Sequence, residues 1–328
     1  MENRQLGKTG LQISALTLGT WVMGGGEWWG KDHDDQRYID TISSAIDHGI
    51  NLIDTAIRYG FGHSEEVVGK AISGKRDKLI VSTKAYSELL LAENAQETVE
   101  ASLKRLDIDY IDIYYIHWPK PGISIARSME ALEKLRDKEL IRFIGVSNVT
   151  IKHLEIAQTA GTVDVMQPPY SLFWNKSEND LLPYAEQHGI GTMTYSALGM
   201  GLLTGKFSRD SKFDEGDMRS YRVSLFQPDI FPVALEAVER LKSIAAKYGA
   251  TLAQTAINWA ATQPGVDTAI VGARTPAQLA DNLGALDFEI SAADRHAMRE
   301  ICEPVVEAVA DWDTMYAQRS EAIRDITE

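Results

Sequence analysis

Short apolar runs alternate with longer stretches of helical spacing along most of the chain. Runs of strand character fall at residues 15–20, 51–54, 79–83, 111–116, 143–146, 163–167, 191–195 and 268–271. Nearly unbroken apolar runs such as 111–116 suit parallel strands buried on both faces. Between them Val99, Leu103 and Leu106 recur at helical spacing, as do Met129, Leu132 and Leu135. Ser64, followed by Glu65 and Glu66, reads as a helix start. Thr251 with Gln254 and Thr275 with Gln278 read as capping boxes, the second with Pro276 in the first helical position. Gly161, Gly189 and Gly249 are placed to close helices.

Eight strand–helix units imply a closed barrel or a doubly wound sheet, and eight favours the (β/α)8 TIM barrel. No linker interrupts the pattern, so one barrel domain over residues 1–328 is expected. The opening RQLGKTGLQIS predicts a short N-terminal hairpin around residues 7–10, too short to join the barrel and placed to plug its bottom. Residues 208–232 are charged and irregular, with Gly216, Pro228 and Pro232. They predict a long loop after the seventh barrel strand, a position that usually carries function.

Composition narrows the choice. A hydrophobic share of 44% is ample for a large core, and a net charge of −14 argues against nucleic acid or an anionic membrane as the main partner. The single cysteine, Cys302, excludes an internal disulfide, and no zinc-ligand spacing occurs. The N-terminus lacks an apolar leader and no stretch approaches a membrane span, so a cytoplasmic protein is expected.

In such a barrel, polar residues at the carboxyl ends of strands face the active-site mouth. Asp54, Lys84 and His117 close three successive strands. Each alone could be a buried ion pair or a capped loop, but together they converge on one mouth. Lys84 beside Asp54 is a charge pair. Tyr59, five residues after Asp54, would have its phenolate stabilised by the ammonium, so its pKa is expected to fall from about 10. A tyrosine so tuned can protonate a carbonyl oxygen while hydride reaches the carbon, and His117 can orient that carbonyl. No metal is needed.

These residues lie within fragments that resemble the aldo-keto reductase family over nearly the whole chain. NLIDTAIRYGFGHSEEVVGKAI, VSTK, DYIDIYYIHWP, IRFIGVSN, QPPYSLF and YSALGMGLLTGK follow in the family's order. The resemblance implies a catalytic tetrad of Asp54, Tyr59, Lys84 and His117, with Tyr59 as general acid. It implies NADPH/NADP+ as cofactor, with NADH possible. Ser147, Asn148 and Gln167 would hold the nicotinamide carboxamide, and Tyr195 would stack on the ring. Gly19, Thr20, Trp21 and Asp54 would border it. Ser196, Leu198, Gly199, Gly201, Leu202, Thr204, Gly205 and Lys206 would run along the pyrophosphate, the glycines bringing backbone N–H groups close to phosphate oxygens. Gly272, Arg274, Gln278, Asp281 and Asn282 would meet the adenosine end, with Arg274 on a 2′-phosphate. Many relatives carry a lysine just before this segment and an arginine at the position of Gln278. That departure implies a lighter grip, with NADPH still favoured over NADH.

The substrate is expected to be a small carbonyl compound of sugar type. Trp21 and Trp118 are flush with strand ends, beside Tyr59 and His117, and Trp28, Trp29, Tyr170 and Trp174 follow strand ends. Such rings can stack on a sugar or on a hydrophobic aldehyde. Arg58, Lys120 and Arg222 could bond hydroxyls or an anionic group, and Trp312 and Tyr316 could fold over the mouth. The same residues would serve sugar or polyol oxidation with NAD(P)+. A nucleotide-binding regulatory subunit, as in the family's potassium-channel β subunits, is the rival of a different class. A metal-dependent barrel hydrolase is disfavoured, since His117 lacks clustered His/Asp ligands. The oligomeric state is open.

Overall fold

A computed structural model describes residues 1–25, 28–29 and 34–316. The chain begins with an antiparallel hairpin, β1 (Asn3–Gln5) and β2 (Gln12–Ser14). Eight parallel strands follow: β3 (Leu16–Gly19), β4 (Leu52–Asp54), β5 (Ile80–Ala85), β6 (Ile111–Ile116), β7 (Ile141–Ser147), β8 (Val165–Gln167), β9 (Gly191–Thr194) and β10 (Thr268–Gly272). They close in the order β10-β3-β4-β5-β6-β7-β8-β9. The closing pair sets Ala269 opposite Leu16 and Gly272 opposite Gly19. This is the (β/α)8 TIM barrel expected from the alternation, and every strand anticipated lies within a few residues of its place.

The outer layer is α1 (Asp35–Asp47), α2 (His63–Ile72), α3 (Ala95–Leu106), α4 (Ile125–Asp137), α5 (Ile151–Gln158), α6 (Leu181–His188), α7 (Phe231–Lys247), α8 (Leu252–Ala261), α9 (Pro276–Leu283) and α10 (Ala292–Ala308). Val99, Leu103 and Leu106 on α3, and Met129, Leu132 and Leu135 on α4, are buried against the barrel as their spacing requires. Thr251 and Gln254 form both halves of a capping box on α8. On α9 only half forms: Thr275 caps Gln278 N, while the Gln278 carboxamide turns back to accept from Arg274 N at 2.9 Å. Gly189 and Gly249 end α6 and α7 at positive φ, but Gly161 lies beyond the end of α5, which Thr159 caps. Ser64 does not start α2. Gly62 caps it, and Ser64 turns inward to bond Thr20 and Thr55.

The barrel interior holds Leu52, Ile80, Ile113, Tyr115, Val165, Met193 and Ile270, and Leu6 and Ile13 of the hairpin belong to the same cluster. The hairpin therefore plugs the bottom, as anticipated. Gly7 makes this closure possible: its φ is +47° and an added Cβ would lie 2.3 Å from Gly191 N. Asp267 locks it, accepting from Gly7 N at 3.1 Å and Thr192 N at 2.9 Å.

The long segment after β9 is irregular up to Ile230, apart from 3₁₀ turns at Gly199–Thr204, Met218–Ser220 and Ser224–Phe226. Pro232 belongs to the first turn of α7 rather than to the loop. Packed rings of Phe207, Phe213, Phe226 and Phe231 anchor the segment.

Candidate functional site

The carboxyl ends of the strands open into one cavity of about 1130 Å³. A volume of this size admits a dinucleotide together with a small substrate.

Asp54 ends β4 and Lys84 lies inside β5, one strand over, so their side chains meet within the barrel wall. Lys84 Nζ donates to Asp54 Oδ2 at 2.6 Å and to the Thr55 carbonyl at 2.8 Å. It lies 3.3 Å from the Tyr59 hydroxyl. The other Asp54 oxygen accepts from Ser82 Oγ at 2.6 Å and Gln167 Nε2 at 3.1 Å. Lys84 is fully buried and Asp54 nearly so. Burial pulls the lysine pKa down, against the Asp54 charge that raises it.

Tyr59 and His117 face the cavity with ring centres 5.8 Å apart. The expected fall in the Tyr59 pKa is reversed. Burial drives it well above the usual tyrosine value, and the Asp54 charge adds to the rise. The Lys84 ammonium is already matched by the nearer carboxylate, so its field at the phenol is largely cancelled. Tyr59 is therefore a protonated hydroxyl. His117 is driven well below its ordinary value by burial, then by Lys84 and Arg58, so its ring is neutral. Its Nδ1 is buried without a partner among the described residues, which leaves Nε2 as the accessible nitrogen. Tyr86, absent from the sequence reading, stacks on the His117 ring at 5.5 Å. Trp21 stacks on Tyr59 at 5.8 Å, and Trp118 meets Tyr316 edge-on at 6.3 Å.

The next three strand ends carry a connected polar set. Ser147 Oγ donates to the Gln167 carbonyl at 2.8 Å. Asn148, at φ +56°, donates to the His117 carbonyl at 2.9 Å and accepts from the Tyr195 hydroxyl at 2.7 Å. Left-handed backbone at an asparagine costs little, and here it turns the carboxamide across the mouth. Beyond Tyr195 the chain folds through Ser196, Gly199, Met200, Gly201 and Gly205, all at positive φ. Gly201, at φ +91°, is in a conformation that suits only glycine. Ser196, Leu198, Gly201, Thr204 and Lys206 line the cavity. Gly199, Leu202 and Gly205 do not; Leu202 is wholly in the core.

At the far end lie Gly272, Arg274, Gln278, Asp281 and Asn282, while Gly19 and Thr20 floor the cavity between the two ends. Asn282 bonds the Gly272 carbonyl at 3.3 Å, and Asp281 accepts from Gln254 at 2.8 and 3.2 Å. Arg219, which the sequence reading passed over, joins Lys206 and Arg274 here. Its guanidinium packs over Trp29, Phe207 and Phe213 and pairs with Asp217. Partial burial and the charges of Arg219 and Arg274 lower the Lys206 pKa. Cations held this close favour an anion between them.

Among the remaining aromatic candidates, Trp28, Trp29 and Tyr316 line the cavity. Tyr170 and Trp174 do not: both are buried in the core, Tyr170 stacked on Trp259 at 5.3 Å. Trp312 is likewise packed into the core. For Tyr170 and Trp174, following a strand end in sequence did not bring the rings to the mouth, because they pack into the core instead. Among the described residues there is no cluster of three or more His, Cys, Asp or Glu arranged as metal ligands, and no helix long and apolar enough to cross a membrane.

The family model described as the aldo/keto reductase family matches residues 15–303. The chain belongs to the aldo/keto reductase family. It is 40% identical to an aldo-keto reductase of Bacillus subtilis (strain 168), over 93% of this chain and 95% of that one. It is 37% identical to the NADH-specific methylglyoxal reductase of Escherichia coli (strain K12), over 92% and 99%. Among solved structures it resembles a glycerol dehydrogenase from Gluconobacter oxydans, with a TM-score of 0.83, 35% identity and coverage of 93% and 96%. It also resembles an aldo-keto reductase from Klebsiella pneumoniae in complex with NADPH, with a TM-score of 0.76, 28% identity and coverage of 97% and 100%. The family is one of oxidoreductases, as the names of these relatives state.

Proposed function

We propose that this protein reduces an aldehyde or ketone to the alcohol with NADPH, and that the substrate is a small sugar-type carbonyl. The observation that carries the reading is the line Asp54–Lys84–Tyr59, with bonds of 2.6 and 3.3 Å, ending at a protonated hydroxyl beside a neutral imidazole in a large cavity. Reduced nicotinamide, when bound, supplies the hydride. Tyr59 gives its proton to the carbonyl oxygen, and His117 donates a hydrogen bond from Nε2 to the same oxygen. The phenolate left on Tyr59 is stabilised by the hydrogen bond from Lys84 Nζ, 3.3 Å from its oxygen, which strengthens as the negative charge develops. Trp21 and Trp118 wall the substrate and exclude water.

The residues fit a dinucleotide. Ser147, Asn148 and Gln167 present amide and hydroxyl groups suited to a carboxamide, and the turns from Ser196 to Gly205 suit a pyrophosphate. The cationic group of Lys206, Arg219 and Arg274 suits phosphate at the adenosine end. Arg274 donates to the Trp29 carbonyl at 3.3 Å, which places its guanidinium on the cavity wall. The NADPH complex of the Klebsiella relative supports NADPH here, while the NADH-specific relative keeps NADH in play. The resemblance to a glycerol dehydrogenase favours a second reading, polyol oxidation through the same site.

Steady-state assays with NADPH against aldoses, dicarbonyls, inosose and aromatic aldehydes, and with NADP+ against polyols, test the proposal. Turnover with a sugar carbonyl supports it. Turnover with polyols alone favours the second reading, and tight nucleotide binding with no turnover contradicts both.

A further inference from the structure

Two polar groups meet in the cavity: the Asp54–Lys84–Tyr59 line and the set at the ends of β7 to β9. Gln167 belongs to both. It ends β8 and lines the cavity, and its Nε2 donates to Asp54 Oδ1 at 3.1 Å. The same oxygen accepts from Ser82 Oγ at 2.6 Å, while Oδ2 faces Lys84. A carboxylate only accepts, so the NH2 end of the Gln167 amide must face it and Oε1 must face away.

The neighbours of Gln167 are already committed to one another. Asn148 donates to the His117 carbonyl at 2.9 Å and to Ser147 Oγ at 3.1 Å, and its oxygen accepts from the Tyr195 hydroxyl at 2.7 Å. Ser147 Oγ donates to the Gln167 carbonyl at 2.8 Å. Gln167 Oε1 accepts no hydrogen bond among the described residues, which leaves it for the cavity.

Tyr115 holds the amide in this sense from inside the barrel. Its ring is fully buried opposite Gly145 of β7, where an added Cβ would lie 2.3 Å from the ring. Its hydroxyl donates to Met193 Sδ at 3.0 Å, so its oxygen is left to accept. Burial and then the Asp54 charge drive the Tyr115 pKa well above its ordinary value, and the Gln167 amide, donating toward that oxygen, works against both.

We propose that Gln167, held by Tyr115, is a positioning residue that joins the cofactor site to the proton donor: with its Oε1 accepting from the nicotinamide carboxamide, its Nε2 binds Asp54 more strongly and Tyr59 gives up its proton more readily. The inference rests on the reductase reading and deepens it. An amide whose oxygen accepts a hydrogen bond is polarised and becomes a better donor through its nitrogen. After burial, Asp54 is the largest cause of the raised Tyr59 pKa. Drawing its charge toward Oδ1 leaves more of the Lys84 ammonium, 3.3 Å from the Tyr59 hydroxyl, to stabilise the phenolate.

A double-mutant cycle between Gln167→Met and Asp54→Asn tests this through binding and through turnover. Coupling is reciprocal, so Asp54→Asn should weaken NADPH, followed by protein fluorescence, about fivefold more when Gln167 is present than in Gln167→Met. At saturating NADPH, Gln167→Met alone should lower kcat roughly tenfold, the loss of a hydrogen bond to a charged group. With Asp54→Asn already in place the further loss should be under about twofold. Tyr115→Phe keeps the ring against Gly145 and removes only the hydroxyl. It should lower kcat in the same direction with little change in the carbonyl KM, and it serves if Gln167→Met does not fold. Equal weakening of NADPH by Asp54→Asn in both backgrounds overturns the coupling, as do additive losses in kcat, since Gln167 would then only hold the nicotinamide. No turnover by the native protein overturns the reductase reading, while the binding comparison still decides the coupling.

Discussion

Lys84 Nζ lies 2.6 Å from Asp54 Oδ2, and the two charges are sealed together in the barrel wall. Removing one partner of such a pair leaves the other buried and uncompensated. Asp54→Asn should therefore cost about 3 kcal/mol of folding stability and, by letting burial push the Lys84 pKa lower still, slow reduction by roughly 10² or more. The double variant Asp54→Asn/Lys84→Met should recover stability without recovering activity. Denaturant unfolding and steady-state rates measure both. Near-normal turnover in Asp54→Asn would remove the pair from the account.

Protonation of His117 gives the fold and the chemistry a shared pH dependence. Its folded pKa is depressed below the ordinary 6.5, chiefly by burial. The unfolded chain thus takes up a proton that the folded one refuses. The associated stability is full above the unfolded value and is lost as pH falls toward the folded one. From about pH 7 to about pH 5 the native protein should lose on the order of 2 kcal/mol more than His117→Gln. Equal losses in the two proteins would mean that His117 titrates normally in the fold.

Activity should follow the same protonation states. With His117 neutral and Tyr59 protonated, kcat/KM for reduction should stay flat between about pH 6.5 and pH 9. An acid limb centred near 6.5 would assign a charged imidazole to the free enzyme.

Much of this was readable in the chain because it depends on local order. Asp54, Lys84 and His117 end or nearly end successive apolar runs, and parallel pairing does the rest. The hairpin plug was equally legible, since Gly7 and Gly10 bracket a turn too short for any other use. What escaped depends on distant contacts. The Tyr59 pKa turns on burial and on a carboxylate closer to Lys84 than Tyr59 is, neither of which spacing reveals. Arg219 lies in a loop without periodicity and acquires its place only by packing over Trp29, Phe207 and Phe213. Tyr170 and Trp174 follow a strand end as Trp118 does, yet the chain there turns into the core. Their sequence neighbourhood gives no sign of that turn.

Arg274 is the residue on which cofactor choice should turn. Arg274→Ala should raise the KM for NADPH on the order of tenfold while leaving NADH within about twofold, because only NADPH carries the 2′-phosphate. An equal loss for both dinucleotides would place Arg274 elsewhere.

Gly7 separates stability from chemistry. Its added Cβ in Gly7→Ala would meet the Gly191 backbone, and its φ is positive. The hairpin must shift, at a cost of about 2 kcal/mol. The melting temperature should fall, while kcat/KM at a temperature where both proteins are folded is unchanged. A large loss of kcat/KM there would mean that the plug shapes the catalytic end.

The central claim is that Tyr59 delivers the proton, and Tyr59→Phe tests it most directly. Phenylalanine keeps the ring against Trp21 and removes the hydroxyl beside Lys84. NADPH binding, followed by protein fluorescence, should be nearly unchanged, and carbonyl reduction should fall by roughly 10² or more. Turnover comparable to that of the native protein, with NADPH still bound, would contradict the assignment.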